Sequence, residues 1–358
     1  MAIKSTAHAK LETYKEILSQ GDVWQAVLEE LKQNKFAESM LRANNRKASW
    51  LFVGCGTSFY LADAAATSWT LLTGEPARAV PGSEILMYPV LTRSEAANLH
   101  AVVISRSGRT SEAVRAAHAL RKEMQIPTIG VTCAEKSELE AECDSTLVVN
   151  TADEKSMVMT RSFTSMLISL QYMAARHAGN AEFCTSLEVM AAQFAPRIRP
   201  LADQMEVFVA GNSFEDYVFL GQGPFHGLAR EGALKVMEMS CSYSQSFHTL
   251  EFRHGPKAII TPRTALTFFL SQPGQESEIE VLEEMKELGG VTIAVCSRAN
   301  DKIQKASDLV IELNLPVDEL AQLAAHIVPS QLMGFFTGVG KGLNPDQPKN
   351  LTRVVVLD

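Results

Sequence analysis

The segment S-R-S-G-R-T-S at residues 105–111 carries the residue types that bind phosphate. It follows a short apolar run and precedes a helical pattern, so it lies where a strand gives way to a helix. Hydroxyl groups of Ser105, Ser107 and Thr110, with backbone N–H groups beside them, can surround an anion at that helix N-terminus. By itself the segment fits equally well a Ser-rich turn that only caps the helix.

A second loop of this kind, G-C-G-T-S at residues 54–58, closes an earlier apolar run. Its glycines allow a ligand to approach the backbone, but the third glycine of the dinucleotide fingerprint is absent, which disfavours NAD. Because no partner base is evident for Cys55, we interpret it as a small pocket-lining residue and not as a nucleophile. We predict that Cys55, Gly56, Thr57 and Ser58 line the same anion site.

Acid and base groups occur together in R-E-G-A-L-K-V-M-E at residues 230–238. Glu231, Lys235 and Glu238 are spaced i, i+4 and i+7, which places them on one helical face. A solvated surface pair has the same spacing. Because this helix follows a strand-end loop, we expect its start to face a cleft, where a carboxylate paired with an ammonium suits proton transfer at carbon.

His254 stands just before Gly-Pro, in a turn where a histidine is accessible and can shuttle protons near neutral pH. His226, His248 and the neighbouring Glu251 raise the alternative of a metal site. Their spacing matches no known zinc template, so we predict no metal here.

An internal repeat organises the elements that must position these residues. The segment 51–62 resembles 217–229, 101–114 resembles 266–281, and 127–150 resembles 291–314, in the same order and at nearly constant offset. Each half alternates short apolar strands with helices, which predicts two copies of a doubly wound α/β domain with a parallel sheet. In the second copy the anion loop is replaced by a stretch containing Gln272, Pro273, Gln275 and Glu276, so only the first copy is equipped for phosphate.

Length and composition agree with two domains in a chain of 358 residues. We predict a helical segment over 1–45, a phosphate-binding domain over 46–200, a second domain over 201–340 and a tail over 341–358. The formal net charge of −8 argues against nucleic-acid or anionic-membrane partners. Six isolated cysteines, no signal peptide and no apolar run of about 18 residues indicate a cytoplasmic protein.

Together these motifs resemble the SIS (sugar isomerase) family. The repeat, G-C-G-T-S, S-x-S-G-x-T, E-G-A-L-K-x-x-E, H-G-P and the tail D-Q-P-K-N-L carry the resemblance from about residue 45 to the C-terminus. It is similar to the isomerase half of glucosamine-6-phosphate synthases and to stand-alone amino-sugar-6-phosphate deaminase/isomerases, formerly called tagatose-6-phosphate ketose/aldose isomerases. The resemblance implies two flavodoxin-like αβα domains, a homodimer and a C-terminal tail over the active site.

The resemblance also implies roles for particular residues. Glu238 matches the base that moves a proton between C1 and C2, with Glu231 and Lys235 as supporting groups. His254 matches the histidine that assists ring opening and comes from the neighbouring subunit. No metal or organic cofactor is implied. The residues that match the 6-phosphate pocket are Ser58, Ser105, Arg106, Ser107 and Thr110.

Three features depart from the synthase pattern. No glutaminase domain or N-terminal cysteine nucleophile is present, so we expect no glutamine hydrolysis. Arg353 stands where the synthase has an imine-forming lysine, and an arginine stays protonated and cannot form an imine. Arg106 and Arg109 replace a glutamine and a glutamate of the phosphate loop.

These features predict a phosphosugar aldose–ketose isomerase that converts glucosamine-6-phosphate or galactosamine-6-phosphate to a ketose-6-phosphate and ammonia, through an enediol-type intermediate. A fructosamine-6-phosphate deglycase is the rival enzyme, because it needs the same phosphate pocket and base. A non-catalytic phosphosugar-binding regulator is the rival from another class. The presence of both Glu238 and His254 favours an enzyme, and no basic helix-turn-helix pattern is evident in 1–45.

Overall fold

The computed structural model describes residues 8–34, 48–93 and 98–357, and two parallel five-stranded sheets organise this part of the chain. The strand orders are β2-β1-β3-β4-β5 and β7-β6-β8-β9-β10. Numbered within its own sheet, each order is 2-1-3-4-5, which is the order of flavodoxin-like folds. The predicted tandem αβα fold is therefore confirmed. The strands are β1 (Ser49–Gly54), β2 (Ala77–Pro81), β3 (Leu99–Ile104), β4 (Thr128–Thr132), β5 (Ser145–Val148), β6 (Asp216–Gly221), β7 (Tyr243–Phe247), β8 (Thr264–Phe269), β9 (Val291–Cys296) and β10 (Leu309–Glu312).

Helices follow the strands of both sheets, as right-handed crossovers between parallel strands require. The long helices carry buried faces, whereas several connections are single turns. The helices are α1 (Glu12–Leu18), α2 (Gln20–Gln33), α3 (Thr57–Thr73), α4 (Gly82–Met87), α5 (Pro89–Arg93), α6 (Ser111–His118), α7 (Glu138–Glu142), α8 (Arg161–His177), α9 (Ala181–Phe194), α10 (Ile198–Ala210), α11 (Pro224–Ser240), α12 (Gln275–Glu287), α13 (Asp301–Ala306) and α14 (Leu323–Gly340).

The chain forms two compact units. The first-sheet unit comprises Asp22–Glu154, Arg161–Glu188 and Thr352–Asp358. The second-sheet unit comprises Met1–Gly21, Lys155–Thr160 and Val189–Leu351. The last residues of the chain thus belong to the unit that holds the predicted phosphate loops, and the domain boundaries drawn from the sequence stay a prediction.

The repeat is visible in the backbone at the end of the first strand of each sheet. Gly56 and Gly223 have φ of 55° and 53°, a conformation that only glycine adopts without strain. A Cβ on Gly54 or Gly221 would come within 2.4 Å or 2.5 Å of the backbone in the first turn of the helix that follows. Both G-x-G motifs are therefore sharp strand-to-helix turns.

Each sheet is buried on both faces, which explains why its strands read as continuous apolar runs. All six residues of β8 are buried, and so are the last five of β1 and of β6. The most apolar helix, α14, is buried from Leu323 to Gly338 within the second-sheet unit. Within the described ranges, no helix combines the length and apolarity needed to cross a membrane.

Candidate functional site

The loop between β3 and α6 forms a tight turn that gathers its hydroxyl groups. Ser105 is buried, and its Oγ lies 3.4 Å from Oγ1 of Thr110. The hydroxyl of Ser107 accepts a hydrogen bond from the N–H of Arg109 at 3.2 Å. Gly108 has φ of 61°, and a Cβ there would lie 2.3 Å from the side chain of Ser137. Glycine is thus required at position 108 for two reasons: the backbone has a positive φ, and a side chain would clash with Ser137.

The 54–58 loop lies at the same edge of the same sheet. Strands β1 and β3 are adjacent and parallel, so the loops that follow them meet at the carboxyl edge, where ligands bind in open α/β sheets. Thr57 and Ser58 are buried at the start of α3. Burial raises the pKa of the Cys55 thiol to about 11, which keeps it protonated and agrees with a pocket-lining residue.

Arg106 is turned inwards and is 5% exposed. Its guanidinium lies 3.6 Å from the carboxylate of Glu154, which is itself buried, and donates to the carbonyl oxygen of Arg353 at 3.4 Å. The Arg353 side chain in turn binds Asp153 at 3.0 Å. Sequence reasoning did not single out Glu154, since a lone glutamate ahead of a helix gives no signal of a buried partner.

The three charged residues of α11 form a buried cluster. Lys235 is fully buried, and its Nζ lies 3.1 Å from Glu231 Oε1 and 2.6 Å from Glu238 Oε2. Glu231 is equally buried, whereas the side chain of Glu238 is 18% exposed. The alternative of a solvated surface pair is wrong. Burial by itself lowers the pKa of Lys235, but the two carboxylates outweigh it and hold this pKa above its usual value.

Close packing of α11 against α14 buries this cluster. A Cβ at Gly334 would lie 2.7 Å from the carbonyl oxygen of Lys235, and one at Gly338 would lie 2.2 Å from that of Met239. The glycines of α14 therefore let the two helix backbones approach closely beside Lys235. The cluster extends from the middle of α11 (Glu231) to its last turn (Glu238), so the expectation that the start of this helix faces a cleft does not account for it.

The three candidate histidines differ in their surroundings. His254 is exposed and ends the short 3₁₀ helix Glu251–His254, and its side chain makes no hydrogen bond or ion pair in the part of the chain that the structure describes. The rings of His226 and His248 stack at a centroid distance of 3.8 Å. Among the described residues, no three His, Cys, Asp or Glu side chains are arranged to hold a metal ion.

The SIS domain family matches residues 44–176 and 216–335, one region for each sheet. The chain belongs to the SIS domain family. This is the phosphosugar isomerase family that the motifs predicted, and each of its two matched regions contains one copy of the repeat.

The chain is similar in sequence or structure to several known proteins. The chain is 29% identical over 317 residues to glutamine–fructose-6-phosphate aminotransferase [isomerizing] of Methanothermobacter thermautotrophicus, which covers 86% of this chain and 51% of that protein. The present chain therefore spans about half the length of the curated relatives that it matches. Glucosamine-6-phosphate deaminase of Thermotoga maritima is 27% identical with a TM-score of 0.78, covering 97% of this chain and 100% of the other. Tagatose-6-phosphate ketose/aldose isomerase of Escherichia coli is 22% identical with a TM-score of 0.83, covering 97% of both, and this match shows the fold alone.

In the second SIS region, carboxylates of the protein occupy the loop that follows β8. Glu278 accepts hydrogen bonds from the N–H and hydroxyl of Ser271 at 2.7 Å and 3.1 Å. Glu319 accepts from the N–H of Gln272 at 2.9 Å and from the hydroxyl of Ser297 at 3.0 Å. These donors are thus already paired with carboxylates of the protein, and the assignment of phosphate binding to the first copy alone stays a prediction.

Glu278 is expected to make the stability of the protein depend on pH. It is fully buried, and burial raises its pKa to about 7 from 4.5. Its contribution to stability is complete below pH 4.5, where the carboxyl is protonated in both states, and is lost as the pH rises through 7. For Glu278→Gln, urea denaturation should show that the free energy of unfolding relative to wild type rises by roughly 3 kcal/mol between pH 4.5 and 9.

The matched control is Glu276→Gln, which removes an exposed carboxylate from the same turn. Its free energy of unfolding relative to wild type should stay nearly constant over this pH range. Equal pH profiles for wild type and Glu278→Gln would contradict the raised pKa.

Proposed function

We propose that the protein is a phosphosugar aldose–ketose isomerase that acts as an amino-sugar-6-phosphate deaminase. The observation that carries this proposal is the cluster on α11. Lys235 holds Oε2 of Glu238 at 2.6 Å, while the side chain of Glu238 stays 18% exposed. A fixed carboxylate at the surface of a buried ion cluster is suited to act as a general base at carbon.

The proposed reaction assigns one step to each of the predicted site residues. Ser58 and the hydroxyls of the 105–110 loop bind the 6-phosphate. His254, contributed by the neighbouring subunit of a homodimer, assists opening of the sugar ring. Glu238 takes the proton from C2 and returns it to C1 through an enediol-type intermediate, which leaves an imine at C2. Water adds to this imine, the C2–N bond breaks, and ketose-6-phosphate and ammonia are released. These steps need no metal or organic cofactor.

Two observations favour a deaminase over a synthase-like reaction. The similarity to the glucosamine-6-phosphate deaminase of Thermotoga maritima extends over nearly all of this chain. In addition, the side chain of Arg353 is held by Asp153 and by the carbonyl of Glu154, and an arginine cannot form an imine with a ketose. A reaction that needs no imine-forming lysine fits this chain better.

The test supplies purified protein with glucosamine-6-phosphate or galactosamine-6-phosphate, without glutamine, and measures ammonia and ketose-6-phosphate. Stoichiometric release of both products from one sugar supports the proposal and identifies the epimer. No release from either sugar would contradict the deaminase. Turnover of a 6-phosphorylated fructosamine in the same assay would then assign the deglycase, and binding without turnover would assign the regulator.

A further inference from the structure

The last residues of the chain lie against the phosphate loop of the first-sheet unit. We call residues 353–357 the C-terminal strap. The carbonyl oxygen of Val355 accepts a hydrogen bond from the N–H of Ser111 at 3.2 Å, and the Ser111 hydroxyl accepts one from the N–H of Leu357 at 3.0 Å. Arg115 donates to the carbonyl oxygen of Leu357 at 3.2 Å. The strap therefore pairs with the first turn of α6, directly after the loop hydroxyls.

The apolar side chains of the strap are not buried, so burial of apolar surface does not hold it in place. Val355, Val356 and Leu357 are 48%, 71% and 45% exposed. Exposed side chains of this kind contribute little burial energy. The position of the strap must therefore depend on its few hydrogen bonds and on the ion pair at its start.

Arg106 makes the contact that links the strap to the interior of the loop. Its guanidinium donates to the carbonyl oxygen of Arg353 and faces the buried carboxylate of Glu154. The Arg353 side chain binds the same segment, through Asp153 and through the carbonyl oxygen of Glu154. The beginning of the strap is thus held by two contacts: Arg106 binds the backbone of Arg353, and the side chain of Arg353 binds residues 153–154.

We propose that Arg106 is a positioning residue, which holds the C-terminal strap on the phosphate loop and acts on phosphate binding through the strap. Its guanidinium faces Glu154 and the carbonyl oxygen of Arg353 and is 5% exposed, so its charge is buried beside these partners. The proposal rests on the proposed function only in taking the 105–110 loop as the phosphate site.

Hydrogen exchange of the full-length protein tests the strap directly. In Arg106→Gln, amide exchange in the peptide that contains 353–357 should accelerate about tenfold, because a hydrogen bond from a charged donor is lost. Arg109→Gln is the matched control, since it removes an exposed arginine from the same loop. Its exchange in that peptide should stay within about twofold of wild type. Unchanged exchange in Arg106→Gln would overturn the proposal.

Arg106→Lys keeps a cation opposite Glu154 and tests the same prediction if Arg106→Gln does not fold. Lysine lacks the forked guanidinium that reaches both partners, so the strap should exchange faster in this variant as well. Exchange at the wild-type rate in Arg106→Lys would overturn the proposal.

The affinity for inorganic phosphate separates positioning from direct binding. Arg106→Gln and Arg353→Gln should each weaken phosphate binding, and their effects should not add, because both act through the strap. Additive effects would show that Arg106 binds phosphate directly and would overturn the second half of the proposal. A wild-type protein that binds no phosphate would contradict the proposed phosphate site, whereas the exchange result would still decide the role of Arg106 in holding the strap.

Discussion

Glu238→Gln is expected to lower the turnover of the amino-sugar phosphate by about 10² to 10⁴-fold, the usual contribution of a positioned general base. Glutamine has the shape of glutamate and can still accept a hydrogen bond from Lys235, so the fold and the phosphate site should persist. The measurement is the rate of ammonia release, together with the thermal shift that the sugar phosphate produces. Loss of turnover with an unchanged thermal shift would assign Glu238 to the chemical step.

The control for this variant is Glu287→Gln, which removes an exposed carboxylate from the end of α12. It changes the net charge by the same amount and should leave turnover and thermal shift as in wild type. Turnover in Glu238→Gln that is equal to that of wild type would remove the assigned role. Turnover lost together with ligand binding would also contradict it, since a base that acts only in proton transfer is not needed for binding.

The fold could be predicted from the sequence because its signals are local. A strand buried on both faces reads as a short apolar run, and a strand-to-helix turn with positive φ requires glycine, as at Gly56 and Gly223. The repeat then carries the same pattern through the chain twice. Contact among Glu231, Lys235 and Glu238 was predictable for the same reason, since helical spacing alone places them on one face.

Burial and partner choice could not be predicted, because they depend on residues far along the chain. Lys235 is fully buried, and its backbone contacts Gly334 of α14, about a hundred positions later in the chain. The orientation of Arg106 depends on Glu154 and on the carbonyl of Arg353, which is 247 positions away. No local pattern distinguishes an arginine that faces a ligand from one that faces such partners.

Lys235→Met is expected to lower the free energy of unfolding by about 3 to 5 kcal/mol, because it leaves the carboxylates of Glu231 and Glu238 without the cation between them. Urea denaturation at neutral pH measures this loss. Lys302→Met, which removes an exposed lysine from α13, is the control and should stay within about 0.5 kcal/mol of wild type. Wild-type stability in Lys235→Met would contradict the buried ion cluster.

The triple variant Glu231→Gln, Lys235→Met, Glu238→Gln separates stability from function. Replacing a whole buried ion cluster with neutral groups removes the desolvation cost together with the attraction, so most of the lost stability should return. Ammonia release should not return, because the base and the ammonium that fixes it are both gone. If the triple variant stayed as unstable as Lys235→Met, the cluster would contribute net stability to the fold. Recovery of stability without activity would instead mean that the three charges serve the chemistry at Glu238.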